Sequence, residues 1–325
     1  MISVYKKIKP KNPVFIAAWP GMGHVATYTA NYLKNKLKAR LFARLTEEAF
    51  FNQSEAAVAD SLINLPRSPQ GKFYYWENPT GENDLIIFIS EQQPSAEKTA
   101  TYTHIILDFI AQFKVKMIFT FAALLATTDY TPAPQVWFTA THKELIADFE
   151  RDLLRPLTSG HISGLNGLFL AIAKKMKFKG IAVLGEIPFY TTQIDNPYAS
   201  LSILKIMTKF LNIRLDLTEL SLAGKMIEEE VEKLLEPMKN SILPSDSEPT
   251  NPITADDIEH IRNTLASHTK MPNSTQRQIE DLFARADKDI SCALELKKKL
   301  DEWHVYKDYE DRFLGLFRKR DSKDN

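Results

Sequence analysis

Short apolar runs alternate with helical hydrophobic patterns along most of the chain. Residues 14 to 19 are continuously apolar and end at Pro20, and residues 25 to 37 then repeat apolar positions every three or four residues. A continuous apolar run is typical of a strand buried on both faces, and the second spacing is typical of an amphipathic helix. The pattern therefore predicts a strand, a turn and a helix, in that order.

The same alternation continues downstream. It predicts strands at 41–45, 72–76, 85–89, 117–121, 136–141 and 180–184, and helices at 97–113, 168–176 and 198–211. Strands that alternate with amphipathic helices are typical of a sheet covered on both faces. We therefore expect a three-layer α/β/α fold with a mainly parallel or mixed central sheet.

The apolar periodicity stops at residues 241–253, where Ser, Pro, Asp, Glu, Asn and Thr predominate. We interpret this stretch as a linker. The charged segments 255–267 and 275–318 have helical spacing again. The sequence thus predicts an α/β domain over residues 1–240 and an all-α C-terminal extension over residues 254–325.

Composition narrows the classes of function. The 325 residues carry 41 Lys and Arg against 41 Asp and Glu, so no global field draws the protein to nucleic acid or to an anionic membrane. The single cysteine, Cys292, permits neither an intramolecular disulfide nor a cysteine-based zinc site, which fits a reducing cytosol. No apolar run approaches the roughly 20 residues of a membrane helix. We expect a cytoplasmic protein without nucleic-acid, membrane or metal partners.

Two central motifs carry a family resemblance. Residues 163–174 have the sequence Ser-Gly-Leu-Asn-Gly-Leu-Phe-Leu-Ala-Ile-Ala-Lys, and residues 180–188 have the sequence Gly-Ile-Ala-Val-Leu-Gly-Glu-Ile-Pro. This pair resembles the signature of the proteasome assembly chaperone 2 family, in which Gly-Leu-Asn-Gly-Leu starts a helix and Gly-Ile-x-x-Leu-Gly-Glu-x-Pro ends a strand. Residues 20–23, 47–51 and 73–76 agree with the resemblance.

The resemblance implies a topology related to nucleoside phosphorylases and a non-catalytic role in binding and assembly. Eukaryotic members hold proteasome α-subunits during ring assembly, and archaeal relatives form homo-oligomers that contact proteasomes. A homo-oligomeric scaffold with a protein partner is therefore expected. Many proteasome-binding members end in a hydrophobic-Tyr-any-residue tail, whereas this chain ends Arg320-Asp-Ser-Lys-Asp-Asn325, so docking by that tail is not expected. The ATP-grasp label of some bacterial members gains no support from this sequence.

The turn after the first long strand is a candidate ligand site. Gly21 and Gly23 precede a helix, where backbone amides can hold a phosphate or carboxylate, and His24 could contact the bound anion. The pattern lacks the third glycine of a dinucleotide fingerprint and the Gly-Lys-Ser/Thr of a P-loop. A turn required by the fold is the favoured interpretation.

The central motifs supply a second candidate ligand site. Asn166, between Gly164 and Gly167, can cap its helix or face a ligand. Glu186 ends a strand, where crevices open in parallel α/β sheets, and it either binds a ligand or holds the turn. His161 would join both residues in a polar cluster if the helix crosses back onto the sheet.

One histidine and one carboxylate do not define a catalytic set, so no catalytic residue and no cofactor is predicted. The alternative function is a small-molecule enzyme or sensor for a nucleoside, phosphate or carboxylate. It rests on the position of these residues at strand ends.

The C-terminal segment carries an aromatic stripe at three- to four-residue steps, formed by Trp303, Tyr306, Tyr309, Phe313, Leu316 and Phe317. The stripe either packs against residues 279–283 or the main domain, or forms a face for a partner or an oligomer.

Overall fold

A mixed sheet organises the first part of the computed structural model. Its strands, with those of a separate hairpin, are β1 (Ile2–Val4), β2 (Val14–Ala18), β3 (Arg40–Leu45), β4 (Ala57–Ala59), β5 (Leu62–Asn64), β6 (Gly71–Trp76), β7 (Leu85–Ser90), β8 (Met117–Ala126), β9 (Val136–Ala140), β10 (Arg155–Pro156) and β11 (Gly180–Pro188). The nine-stranded sheet has the order β1-β3-β6-β7-β2-β8-β11-β9-β10, and β4 pairs with β5.

The helices are α1 (Val25–Lys36), α2 (Thr99–Ala111), α3 (Glu144–Glu150), α4 (Leu165–Lys175), α5 (Pro197–Phe210), α6 (Thr218–Ile242), α7 (Asn273–Lys288) and α8 (Ala293–Glu302). The structure describes residues 2–46, 48–52, 56–59, 61–150, 154–242, 273–288 and 292–302, with 306, 309, 310, 312, 313, 315 and 316. None of the helices formed by these residues could span a bilayer.

The central strands β7, β2, β8 and β11 run parallel to one another, and antiparallel strands flank them. Every residue of β2 and β7 is buried, as a strand covered on both faces requires. Alternate residues such as Phe15 and Ala17 pack with Tyr102 of α2 and Phe169 of α4. Helices α1 and α5 pack together on the other face, where Gly185 of β11 touches Ala199 of α5. The predicted three-layer α/β/α fold is confirmed.

Most predicted elements are present, but their limits differ. Strands β8 and β11 extend to Ala126 and Pro188, and α4 begins at Leu165 rather than at 168. The predicted elements did not include β1, the β4–β5 hairpin, β10, α3 and α6. All of these except α6 are short, so too few positions repeat for a periodicity to emerge.

The chain divides into two compact units, Met1–Glu229 and Glu230–Asn325. Helix α6 continues to Ile242, so the first two residues of the predicted linker are helical. The rest of that linker and the predicted helix at 255–267 lie outside the described residues. The predicted limits of the domains therefore stay a prediction. In the second unit, the predicted helix at 275–318 consists of α7, α8 and a few helical residues beyond them.

Candidate functional site

The carboxyl ends of the parallel strands β2, β7, β8 and β11 meet at one edge of the sheet. Open α/β sheets bind ligands in a crevice at this edge. The loop after β2, the loop after β7 and the start of α4 converge there. The geometry of their polar groups therefore decides whether a ligand can enter.

Both polar atoms of the Asn166 side-chain amide form hydrogen bonds within the protein. Its Nδ2 donates to the carbonyl oxygen of Trp19 and its Oδ1 accepts from the Trp19 backbone N–H, both at 3.0 Å. The side chain is only 3% exposed. Asn166 thus satisfies two buried backbone groups at the end of β2, where unpaired groups would be costly. These contacts match the structural role that the sequence left open.

Gln93 makes a second bridge beside Asn166. Its Nε2 donates to the carbonyl oxygen of Pro20 at 2.6 Å, and its Oε1 accepts from the backbone N–H of Leu165 at 3.0 Å. Gly164 has φ +74°, and a Cβ there would come within 2.7 Å of the Gln93 amide. Sequence reasoning missed Gln93, because a single glutamine in a loop carries no motif. The two amides join the three loops across the crevice.

Polar groups of the glycine turn after β2 also bond to other groups of the protein. Gly23 has φ +58°, and its N–H donates to the carbonyl oxygen of Thr192 at 2.7 Å. The backbone of Gly21 is extended, and its carbonyl oxygen accepts from the N–H of His24 at 3.0 Å. The His24 ring lies 2.8 Å from Asp195, and both side chains are about half exposed. The N–H of Gly23, an expected anion donor, is therefore engaged in the turn.

Glu186 and its tryptophan partner form a separate polar contact. The Trp137 indole N–H donates to Oε1 of Glu186 at 2.6 Å, and the Arg155 guanidinium lies 5.7 Å from the centroid of the Trp137 ring. Glu186 also lines a cavity of about 10 Å³, which has room for about one water molecule. The carboxylate therefore holds the side chain of a neighbouring strand.

His161 lines an open cleft of about 430 Å³ between β9, the loop before α4 and α4 itself. The hydroxyl-bearing residues Thr139, Thr158 and Ser159 line the same cleft. Gly167 lies at its wall, and a Cβ there would come within 2.6 Å of the carbonyl oxygen of Ile162. This glycine therefore permits the close approach of the loop to the helix.

The structure does not bring His161, Asn166 and Glu186 together as the predicted polar cluster. Asn166 bonds to Trp19, Glu186 bonds to Trp137, and His161 lines a cleft that neither of them reaches. Asn166 and Glu186 each bond to a residue that is distant in sequence, which the spacing of the motifs could not show. Among the described residues, no group of three or more His, Cys, Asp or Glu side chains could hold a metal ion.

Two tyrosines of the first unit have pKa values that burial raises. Burial raises the pKa of Tyr102 to about 12, and its hydroxyl lies 3.0 Å from Oγ of Ser90. Burial also raises the pKa of Tyr75, as does its hydrogen bond to the carboxylate of Asp84 at 2.8 Å. Both tyrosines stay neutral at physiological pH, so they serve as hydrogen-bonding groups.

The comparisons with known proteins identify the family. The model described as PAC2 family matches residues 15–235. The chain belongs to the PAC2 family. This confirms the resemblance of the two central motifs.

Solved structures support the assignment to PAC2. Pyrococcus furiosus PbaB, described as an archaeal proteasome activator, is 29% identical over 72% of this chain and 97% of its own, with a TM-score of 0.62. P. furiosus PbaA, described as an archaeal homolog of proteasome-assembly chaperone, is 20% identical over 74% of this chain and 94% of its own, with a TM-score of 0.57. The second likeness shows the fold.

Two further similar proteins match different shares of this PAC2 chain. An uncharacterized Methanocaldococcus jannaschii protein is 33% identical over 101 residues, which are 31% of this chain and 38% of that protein. A Mycobacterium tuberculosis protein of unknown function is 16% identical over 90% of this chain and 92% of its own, with a TM-score of 0.61. Because 90% of this chain is more than the length of the first unit, the structural likeness extends into the second unit.

The second unit of this PAC2 protein encloses part of the aromatic stripe. Phe313 is buried, and Tyr306 and Tyr309 pack against a cluster that includes Phe283. The rings of Phe283 and Tyr309 stack at 5.6 Å, and those of Tyr306 and Phe313 meet edge to face at 5.6 Å. These contacts correspond to the packing interpretation. Trp303 and Phe317 lie outside the described residues.

A bidentate ion pair lies beside this aromatic cluster and stabilises it. Nη1 and Nη2 of Arg312 each donate to one carboxylate oxygen of Glu280 at 2.7 Å, and the guanidinium lies 4.2 Å from the centroid of the Phe283 ring. The hydrogen bond from Arg312 is the main cause of the lowered pKa of Glu280. The pair therefore ties the segment after α8 to α7.

We predict that this ion pair makes stability depend on pH in the acid range. Because the folded-state pKa of Glu280 is lowered, its contribution is present above the ordinary pKa of 4.5 and is lost as the pH falls through the folded value. Thermal unfolding followed by circular dichroism should show E280Q less stable than the wild type near neutral pH, with the difference shrinking at about pH 3. The exposed control E310Q should show a smaller difference. An E280Q difference that is the same at both pH values would contradict the prediction.

Proposed function

We propose that the chain is a non-catalytic binding and assembly protein that works in the cytoplasm as a homo-oligomer with a protein partner. The observation that carries the proposal is the closure of the strand-end crevice by Asn166 and Gln93. Ligand sites of α/β enzymes lie at that edge and need free polar groups. Here the amide groups hold the loops of the protein to one another.

The similarity to PbaB supports a function exercised on another protein. PbaB is described as a proteasome activator, and its similarity at 29% identity covers nearly its whole length. PbaA and an M. tuberculosis protein described as a proteasome-assembly chaperone homologue share the fold. A proteasome protein is therefore the first partner class to test.

Native mass spectrometry of the full chain, purified gently from its own cells, tests the proposed function. We expect a homo-oligomer with a protein partner in stoichiometric amount. Retention of a small molecule by the wild type and its loss in E186A, without a protein partner, would overturn the proposal. The surface variant E97Q provides the matched control for removal of a carboxylate.

A second candidate function, binding of a small molecule, is favoured by the cleft at His161. Its volume of about 430 Å³ falls within the range of about 300 to 1,000 Å³ that ligand pockets occupy. Hydroxyl groups and an imidazole can bind a phosphate, carboxylate or nucleoside. This site is distinct from the crevice, so it is compatible with the closed loops.

Mutation of the cleft histidine tests this candidate directly. We expect that a small molecule bound to the wild type in native mass spectra is lost in H161A but retained in H104A, a variant of an exposed histidine on α2. Unchanged retention in H161A would exclude the imidazole as a binding group. Equal loss in both variants would show that the effect is not specific to the cleft.

A further inference from the structure

Three cations converge at the edge of the sheet formed by β1, β3 and β6. Arg44 of β3 and Lys72 of β6 are direct cross-strand neighbours. Lys34 of α1 reaches over the ring of Tyr74, with Nζ 5.0 Å from the ring centroid. Like charges opposite each other across a sheet are destabilising. We call Lys34, Arg44 and Lys72, together with Tyr5 and Tyr74, the basic face.

Carboxylates neutralise only part of this charge. The Nζ of Lys72 lies 2.6 Å from Glu91, but Glu91 also binds Arg67 at 2.9 Å. Within the part of the chain that the structure describes, Lys34 and Arg44 have no carboxylate partner. The basic face thus carries an excess of positive charge.

Lys34 Nζ donates to the amide oxygen of Asn31 at 3.2 Å, but other contacts of Lys34 and Arg44 show the cost of this arrangement. The buried Nε of Arg44 has no hydrogen-bond partner among the described residues, and its guanidinium lies 5.6 Å from the centroid of the Tyr5 ring. Burial, and then the charge of Lys72, lower the pKa of Lys34. An unsatisfied donor and repelling cations are both relieved by an anion.

The sequence shows the same local excess of charge. Residues 1–46 contain nine Lys and Arg and no Asp or Glu, although the whole chain is neutral. This stretch includes Tyr5, directly after β1, and α1 and β3, which supply Lys34 and Arg44 to the basic face. The positive field is therefore concentrated on one region of a neutral protein.

The basic face is open to a partner. Helix α1 lies over β7, β2 and β8, and its residue Lys34 borders the part of the face that β3 and β6 supply. Tyr5 is 60% exposed, and Lys34, Arg44, Lys72 and Tyr74 are partly exposed. Cations and aromatic rings on one surface can bind carboxylates and pack against the apolar groups between them.

We propose that the basic face docks an acidic segment of a protein partner, whose carboxylates pair with Lys34, Arg44 and Lys72. The inference rests on the proposed function, since it names the chemistry of the partner. The positive charge of the basic face complements the negative charge of an acidic segment, which favours such a segment as the partner. A nucleic acid fits less well, because the whole chain has no net positive charge and Glu91 would face its phosphates.

Fluorescence anisotropy tests the proposal with a labelled peptide of alternating glutamate and valine. The full-length wild type should bind this peptide, and binding should weaken as NaCl is raised from about 0.05 to about 0.5 M. The same peptide with glutamine in place of glutamate should not bind. The double variant K34Q/R44Q should bind about tenfold more weakly. The control K174Q/K175Q, with the same charge change on exposed residues of α4, should bind like the wild type.

Thermal unfolding of the same variants separates docking from folding. K34Q/R44Q should retain or exceed the wild-type Tm, because two repelling charges are removed. If the double variant is less stable, K34Q alone, a change on α1 that leaves β3 intact, should still weaken peptide binding relative to K175Q.

Three results would overturn the docking surface. The first is that the glutamate peptide does not bind to the wild type. The second is that the peptide binds equally to the wild type and to K34Q/R44Q. The third is that oligothymidylate binds to the wild type more tightly than the peptide does and that the double variant abolishes this binding. Native mass spectra showing a partner and an oligomer alongside any of these results would leave the proposed function standing. If the peptide binds as expected but the native mass spectra show neither a partner nor an oligomer, the docking surface is supported and the proposed function is contradicted.

Discussion

Replacing Asn166 with alanine is expected to lower the free energy of unfolding by about 3 kcal/mol, the order of magnitude of two buried backbone groups left without partners. The N–H and the carbonyl oxygen of Trp19 would lose the amide that binds both. The Trp19 side chain is fully buried against Phe88 and Phe169, with ring centroids 5.5 and 4.9 Å away. Water therefore has little access to replace the lost bonds. Urea unfolding of the full chain measures the change.

The matched control for this variant is N35A, which removes an exposed asparagine near the end of α1. It should change the free energy of unfolding by no more than about 0.5 kcal/mol. If N166A proves as stable as N35A but loses a molecule that the wild type retains, the side chain faces a ligand. That result would reopen the crevice as a binding site.

Replacing Gly23 with alanine should cost about 3 kcal/mol, because backbone strain and a steric clash add together. The residue has φ +58°, and a Cβ would lie 2.5 Å from Nδ2 of Asn196 and 2.9 Å from Cδ1 of Ile187. Asn196 cannot easily move, since its amide bonds to Thr191 and Ile194. Urea unfolding again gives the free energy.

Gly81 offers a control with the same backbone strain and no clash. It has φ +77°, and nothing lies within 4 Å of the position of a Cβ. G81A should therefore cost about 1 kcal/mol, which is the strain alone. Equal losses in G23A and G81A would show that the turn can relax around a methyl group. The difference between the two variants isolates the packing of the turn against Asn196.

The buried strands could be predicted because their chemistry is local. The runs at 14–18 and 85–89 are apolar throughout, since both faces of each strand are covered. The end of β11 was harder to place, because Gly185 and Glu186 interrupt its apolar run. In the sheet they remain paired with β8, so the strand continues to Pro188.

The candidate residues could be found from motifs, but their contacts could not. Asn166 and Glu186 were identified from the two central motifs, and each bonds to a tryptophan on another element. Gln93 lies 72 residues from the backbone N–H of Leu165 that it accepts from, and no motif marks it. The tertiary fold alone places that amide across the crevice.

The amino-acid sequence determined the alternation of strands and helices, the family and the charge asymmetry, because these depend on residue types and their spacing. The tertiary structure decided which polar groups are free to act. The amide of Asn166, which a motif marks, and that of Gln93, which no motif marks, are both satisfied by backbone groups of other loops, whereas Lys34 and Arg44 converge without carboxylate partners among the described residues. Such pairing depends on contacts between distant parts of the chain, and only folding brings those parts together.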